Sequence, residues 1–219
     1  MSGNNSAPKE TLFSPKNRKL LSEPIGTSNP ITVQVLGVCS VLAVTVQLRA
    51  SLVLAIAVVA VMGLANVIIS ILRHGIPPRI RIIVQLTVIA SLVILVDQVL
   101  KAFVYDVSRQ LSVFVGLIIT NCIIMGRLEA FALQNKVWPS FLDGIGNAAG
   151  YGSILLLLAA IREFLGSGTL MGYQMIPNFV YDIGYVDNGF MILPPMALIT
   201  VGVIIWIHRH RDRGLVDVS

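Results

Sequence analysis

The stretch ASLVLAIAVVAVMGLANVIISIL, residues 50–72, contains no charged side chain. As an α-helix it would extend roughly 34 Å, a little more than the hydrocarbon core of a bilayer. Its apolar residues are continuous rather than alternating, which excludes a β-barrel strand, where lipid-facing and lumen-facing positions take turns. A stretch of this kind is a membrane crossing, and the rest of the chain follows suit. Of 219 residues, 55% are hydrophobic and 12% charged, with mean hydropathy +0.82. The charged share is about half that of a soluble domain. Disorder and an ordinary water-soluble domain are both excluded.

Outward from residues 50–72, five more apolar runs appear: Ile31–Leu48, Ile82–Leu100, Leu111–Gly126, Gly144–Ile161 and Phe190–Ile207. The fold class expected is all-α, a polytopic membrane protein with six transmembrane helices. Residues 1–30, rich in Ser, Asn, Pro and Lys, read as a flexible cytoplasmic tail. Residues 31–208 read as the membrane domain, and 209–219 as a second cytoplasmic tail. The net charge of +5 is then a matter of orientation. With six crossings and the N-terminus inside, twelve of the sixteen Lys and Arg fall on the inner side, and Arg49, Lys101, Arg109 and Arg162 fall outside. Basic residues collect on the cytoplasmic side, so both termini are placed there and nucleic acid is set aside as a partner.

Two runs are irregular. Ile31–Leu48 meets the next run with only Arg49 between them, too little for a helical hairpin. Leu111–Gly126 is short for a straight crossing. Each opens one half of the chain, about 31–100 and 111–208, and each carries one of the two cysteines, Cys39 and Cys122. Two inverted three-helix repeats, each with a short or broken first helix, follow from this placement. Such folds put their chemistry near the midplane.

Two readings of the cysteines compete: free thiols filling space, or a metal site. A disulfide framework is not expected of cysteines inside apolar runs. Two thiolates complete neither a zinc nor an iron–sulfur site, for which four ligands are usual. His74, His208 and His210 sit among arginines at predicted membrane surfaces. A metal site would therefore draw its other ligands from another chain. Among intramembrane acids, Asp97 lies four residues before Lys101 on one helical face, as an ion pair or a way-station for a cation. Asp143, before Gly144, is placed to cap the fifth helix or to collect cations at the inner mouth. Arg127 and Glu129 read as local topology determinants. Arg162 and Glu163 read as a pair on the outer surface. The small residues from Gly144 to Gly152 form a packing face, and Pro194-Pro195 should kink the sixth helix or delay its start. No nucleotide-binding loop, dinucleotide fingerprint or catalytic triad is present.

Gly37-Val38-Cys39-Ser40-Val41-Leu42-Ala43-Val44-Thr45 resembles the first-helix motif of the paired membrane subunits of the Na+-translocating NADH:quinone oxidoreductase. Thr120-Asn121-Cys122-Ile123-Ile124-Met125-Gly126-Arg127-Leu128-Glu129-Ala130-Phe131-Ala132 is similar to the second, longer motif. Leu142-Asp143-Gly144, Gly166-Ser167-Gly168-Thr169-Leu170 and Leu193-Pro194-Pro195 also match, so that the likeness covers about 30–213. Of the two homologous types, D and E, the D type is the nearer. The Rnf-type electron transport complex has a sister protein in which proline commonly follows the first cysteine, where this chain has Ser40.

The resemblance implies a non-autonomous member of a six-subunit complex of the bacterial inner membrane. The E-type homologue would be inserted with the opposite orientation, and A, B, C and F would be the remaining partners. Cys39 and Cys122 would be two ligands of an iron centre of the [2Fe–2S] kind shared with the E-type homologue. NADH and flavins would sit on other subunits, quinone would be the acceptor and Na+ the exported ion, with Asp97 and Asp143 on its path. A corresponding member of an Rnf-type complex, a non-redox secondary transporter and a scaffold with inert thiols are the alternatives.

Overall fold

The computed structural model describes residues 20–21, 23–25, 29–73, 75–103, 116–170, 173–174 and 189–211. Most of the expected N-terminal tail, the residues after 211, His74 and Arg109 lie outside these. Among the described residues the chain is helical, apart from a two-residue antiparallel ladder that pairs Thr169-Leu170 with Tyr173-Gln174. We label the helices α1 (Val38–Val44), α2 (Leu48–Leu72), α3 (Arg81–Phe103), α4 (Cys122–Arg127), α5 (Val137–Ser167) and α6 (Pro194–Arg211). A π-helical turn, Leu128–Ala132, continues α4.

Three of the described helices, α2, α3 and α5, are long and apolar enough to cross a membrane. The helix α2 contains the uncharged stretch 50–72. It packs along α5, and these two form the centre of the molecule. Leu54, Val58, Val61, Met62, Ala65 and Ile69 of α2 and Tyr151, Leu155 and Leu158 of α5 are buried together. The expected packing face of small residues is present: a side chain at Gly144 would strike Asn66 and the Met62 carbonyl, and one at Gly152 would press on Ala55. The same stripe has a second use. A Cβ at Gly146 would stand 2.5 Å from the Leu20 carbonyl oxygen, and one at Gly150 would collide with that of Pro24. The leading segment thus lies in a notch of α5, pinned by Asn29, whose amide donates to the Gly150 carbonyl at 3.0 Å. By contrast, α3 and α6 turn large apolar residues outward, among them Ile83, Leu95, Val99, Ile199, Val203 and Trp206. Such faces belong in lipid or against other proteins.

Several expected boundaries move. The run Ile31–Leu48 is no continuous helix: turns occupy 30–34, and α1 starts only at Val38. The link to the next helix is Thr45–Gln47, with Gln47 in an extended conformation, so Arg49 lies within α2 rather than at the turn. In the second irregular run, helical residues 116–119 are interrupted at Thr120-Asn121 before α4 begins. The fifth helix starts at Val137, not Gly144, because Pro139 falls in its first turn, where the missing N–H has no partner to lose. Asp143 is therefore inside this helix and does not cap it. Pro194-Pro195 delays the sixth helix, which starts at Pro194 after a 3-10 turn at Gly189–Ile192.

Gly144→Ala is a test of the α2–α5 contact. Alanine gains about 1 kcal/mol of helix propensity, whereas forcing a methyl into a packed interface costs about 1–3 kcal/mol. Here the methyl would meet the Met62 backbone oxygen at 3.1 Å. The expected result is a lowered thermal midpoint of the purified membrane protein, whereas a raised midpoint would contradict the close approach.

Candidate functional site

Both cysteines lie just after a break in the backbone. Before α1, Val35 adopts φ 54° and Gly37 φ 77°. For a β-branched residue the left-handed region costs about 1–3 kcal/mol, so the surroundings must impose it. Gly37 has the further requirement of space, since a Cβ there would stand 2.9 Å from the Tyr151 ring and 3.3 Å from Asn121 Oδ1. Cys39 is the second residue of α1 and Cys122 the first of α4. Each therefore sits where backbone N–H groups lack helical partners.

The fold brings the two cysteines together. They are neighbours in space, although they are far apart in sequence. Both are free thiols, and both are exposed on the surface of the chain. Among the described residues no group of three or more His, Cys, Asp or Glu gathers in a metal-sized cluster.

Behind the thiols the two breaks are tied to each other and to α5. Asn121 caps α4 by accepting from the Ile123 N–H at 3.3 Å, and its amide donates to Ser40 Oγ at 3.3 Å. Ser40 Oγ lies 2.9 Å from the Gly37 carbonyl and 2.7 Å from the Tyr151 hydroxyl. The proton inventory settles the directions: the Ser40 hydroxyl donates to Gly37, so Ser40 Oγ accepts from Tyr151. Ser40, Asn121 and Tyr151 are all buried.

The far end of α1 is held by the same helix, α5. Arg162 donates to Thr45 Oγ1 at 2.5 Å and to the carbonyls of Met191 and Ile192 at 3.2 and 2.7 Å. Its neighbour Glu163 accepts from the Leu48 N–H that opens α2. Arg162 is 1% exposed and Glu163 7%. The expected outer-surface pair is thus corrected: neither residue needs the other, because each satisfies groups at the α1–α2 link.

Of the two acids singled out, neither touches the cysteine pair. Asp97 forms its ion pair with Lys101, one turn on in α3. Asp143 is clamped by Arg127, whose Nε and Nη2 engage one carboxylate oxygen each, and it also accepts from the Asn147 amide at 3.0 Å. This bidentate geometry is the strong form of the pair. It borders a polar cleft of about 190 Å³ lined by Leu20, Glu23, Pro24, Gln34, Arg127, Asp143 and Asn147. Arg127 and Glu129 have separate partners, since Glu129 pairs with Arg81 and accepts from Gln85 at 2.9 Å.

Sequence reasoning misses Ser40, Tyr151, Arg162 and Glu163 as parts of the site. A signal exists for the second of them: Asp143, Asn147 and Tyr151 recur every four residues in an otherwise apolar helix, which places three polar groups on one face. Polar groups inside a membrane are costly and seldom idle.

Comparison with known proteins shows the family. Residues 17–205 match the family model described as Rnf-Nqr subunit, membrane protein. The D subunit of the Na(+)-translocating NADH-quinone reductase of Aeromonas hydrophila is 56% identical over 202 residues, covering 92% of this chain and 96% of that one. Its counterpart from Tolumonas auensis is 54% identical over 192 residues, covering 88% and 89%. That of Shewanella woodyi is 54% identical over the same length, covering 88% and 91%.

The Arg127–Asp143 clamp is testable by a double-mutant cycle. With the Asp143 side chain 2% exposed, Arg127→Ala strands a buried carboxylate and should cost about 3 kcal/mol. Adding Asp143→Ala should recover part of that loss, read as the thermal midpoint of the purified protein. Strictly additive losses would mean that the two residues do not act as a pair.

Proposed function

The chain belongs to the Rnf-Nqr family of membrane subunits, and on that footing we propose that it serves as the D-type member of a Na+-translocating NADH:quinone oxidoreductase, contributing Cys39 and Cys122 to an iron centre shared with a homologous partner. The observation that carries this reading is the meeting of two free, exposed thiols at two helix starts remote in sequence. Soft thiolates suit iron, and four are usual for an iron–sulfur cluster. Two ligands offered outward at a surface are half of such a set, which fits a [2Fe–2S] centre between this chain and the E-type homologue. When bound, that centre supplies a one-electron carrier within the membrane.

The chain's own residues have defined tasks in this reading. Cys39 and Cys122 bind. The first-turn N–H groups of α1 and α4 face developing negative charge on sulfur. The outward apolar faces of α3 and α6 meet lipid or the other members of the complex, A, B, C and F. The six runs form two inverted three-helix repeats, with the broken helices at Cys39 and Cys122 as corresponding first members. Both termini are cytoplasmic, in a bacterial inner membrane, on the distribution of Lys and Arg. The tails are 1–30 and 209–219.

Na+ is the cargo. Asp97 and Asp143 are the stations on this chain, outer and inner. Each carboxylate is held by a tethered cation, Lys101 or Arg127. An arriving Na+ would compete with that tether instead of entering an open cage, which makes each station reversible. The cleft beside Asp143 provides the entry.

In the intact complex, Cys39→Ala and Cys122→Ala should each lower iron and acid-labile sulfide and abolish NADH-driven quinone reduction. Normal iron with normal electron flow in either variant would end the ligand assignment and favour inert thiols. Asp143→Asn and Asp97→Asn should change the Na+ concentration dependence of turnover, and a dependence identical to that of the unaltered complex removes the residue concerned from the path.

A further inference from the structure

The breaks that carry Cys39 and Cys122 do not touch through their cysteines alone. Ser40, the residue after the first cysteine, and Asn121, the residue before the second, meet at 3.3 Å. The Tyr151 hydroxyl closes the junction from α5, 2.7 Å from Ser40 Oγ. The Tyr151 ring fills the space beside Gly37 that any other residue's side chain would claim. Tyr151 is 0% exposed and sits on a long helix packed along α2 at the centre of the molecule, which makes it a rigid reference point for two short helices that have few packing contacts of their own.

We propose that Tyr151 is a positioning residue that fixes the separation and relative angle of the Cys39 and Cys122 thiols through its hydrogen bond with Ser40, to which Asn121 in turn donates. One short helix is seven residues long and the other six, so neither is stable by itself. The orientation of each is set by what its first turn is attached to. Ser40 is the second point of attachment for the α1 break, and Asn121 for the α4 break. Loss of the Tyr151 hydroxyl leaves the 3.3 Å bond from Asn121 to Ser40 as the side-chain link between the two breaks and removes their hydrogen bond to α5. The consequence for a metal centre rests on the ligand role proposed above, but the geometric claim about the thiols does not.

The test is Tyr151→Phe in the intact complex, with Ser40→Ala and Ser40→Thr as companions. Three quantities are read: iron content, the electron paramagnetic resonance spectrum of the reduced iron centre, and bridging of Cys39 to Cys122 by dibromobimane after iron removal. Tyr151→Phe and Ser40→Ala should keep the composition of the complex and most of the iron, shift the spectrum, and slow bridging roughly five-fold, as the loss of one ordinary hydrogen bond would. Ser40→Thr, which retains a hydroxyl, should bridge at close to the original rate. Unaltered spectra and bridging rates in both Tyr151→Phe and Ser40→Ala would overturn the proposal. If Tyr151→Phe does not assemble, the contrast of Ser40→Ala with Ser40→Thr decides it: equal bridging refutes the junction. Iron retained without either cysteine, together with slowed bridging in Tyr151→Phe, would remove the ligand reading and leave the positioning claim standing.

Discussion

Backbone that leaves the helical path inside a membrane must find hydrogen-bond partners within the protein, because lipid offers none. This chain breaks its path twice, before Cys39 and before Cys122, and the rest of the architecture answers to those breaks. Local groups serve the backbone at the breaks, Ser40 at the Gly37 carbonyl and Asn121 at the Ile123 N–H, and α5 holds them in place. Tyr151 reaches the first break through Ser40. Arg162 and Glu163 reach the link between α1 and α2. An uninterrupted helix would need none of these groups, and the cost of burying them would then be uncompensated. Their presence in an apolar helix is the counterpart of the breaks.

The same constraint explains why α5 is both the most polar and the most closely packed of the long helices. Its glycines let α2 and the leading segment approach until backbone nearly touches backbone, which excludes lipid from the junction. Its polar groups then act in a dry setting, where a satisfied hydrogen bond is strong and an unsatisfied one is expensive. Close packing and polar pairing are thus two parts of one solution.

Much of this is legible in the sequence. The long apolar runs at 50–72 and 82–100 become α2 and α3 nearly as they read, since a predominantly apolar stretch of that length has one stable form in a bilayer. The two irregular runs announce themselves by what they lack: room for a turn at Arg49, and length between residues 111 and 126. That Cys39 and Cys122 come near each other is what two inverted repeats, each opening with a cysteine-bearing run, would give. The start of the fifth helix is hidden because Pro139 and Asp143 look like loop residues when read singly. Their compatibility with a helix depends on Pro139 falling in its first turn and on Arg127 arriving from elsewhere. Arg162 and Glu163 mislead for a related reason. Adjacent opposite charges suggest a pair, and only the third dimension reveals that each faces a different partner. Ser40 stands out in the sequence by its difference from a related family, but its hydrogen bond to Tyr151 spans 111 residues of chain and leaves no trace in local pattern.

The seat of the leading segment has a consequence for how the protein is made. Asn29 is held by the carbonyl of Gly150, 121 residues further along. At ordinary synthesis rates the ribosome needs on the order of ten seconds to cover that distance. Throughout this interval the turns at 30–34 and the short helix bearing Cys39 have no α5 to rest on, while α2 and α3 are long enough to enter the bilayer unaided. Insertion and folding are therefore separated in time for this chain. Residues made early, from Asn29 through the helix bearing Cys39, are thus among the last of the described ones to be fixed, because α5 must be made before it can hold them.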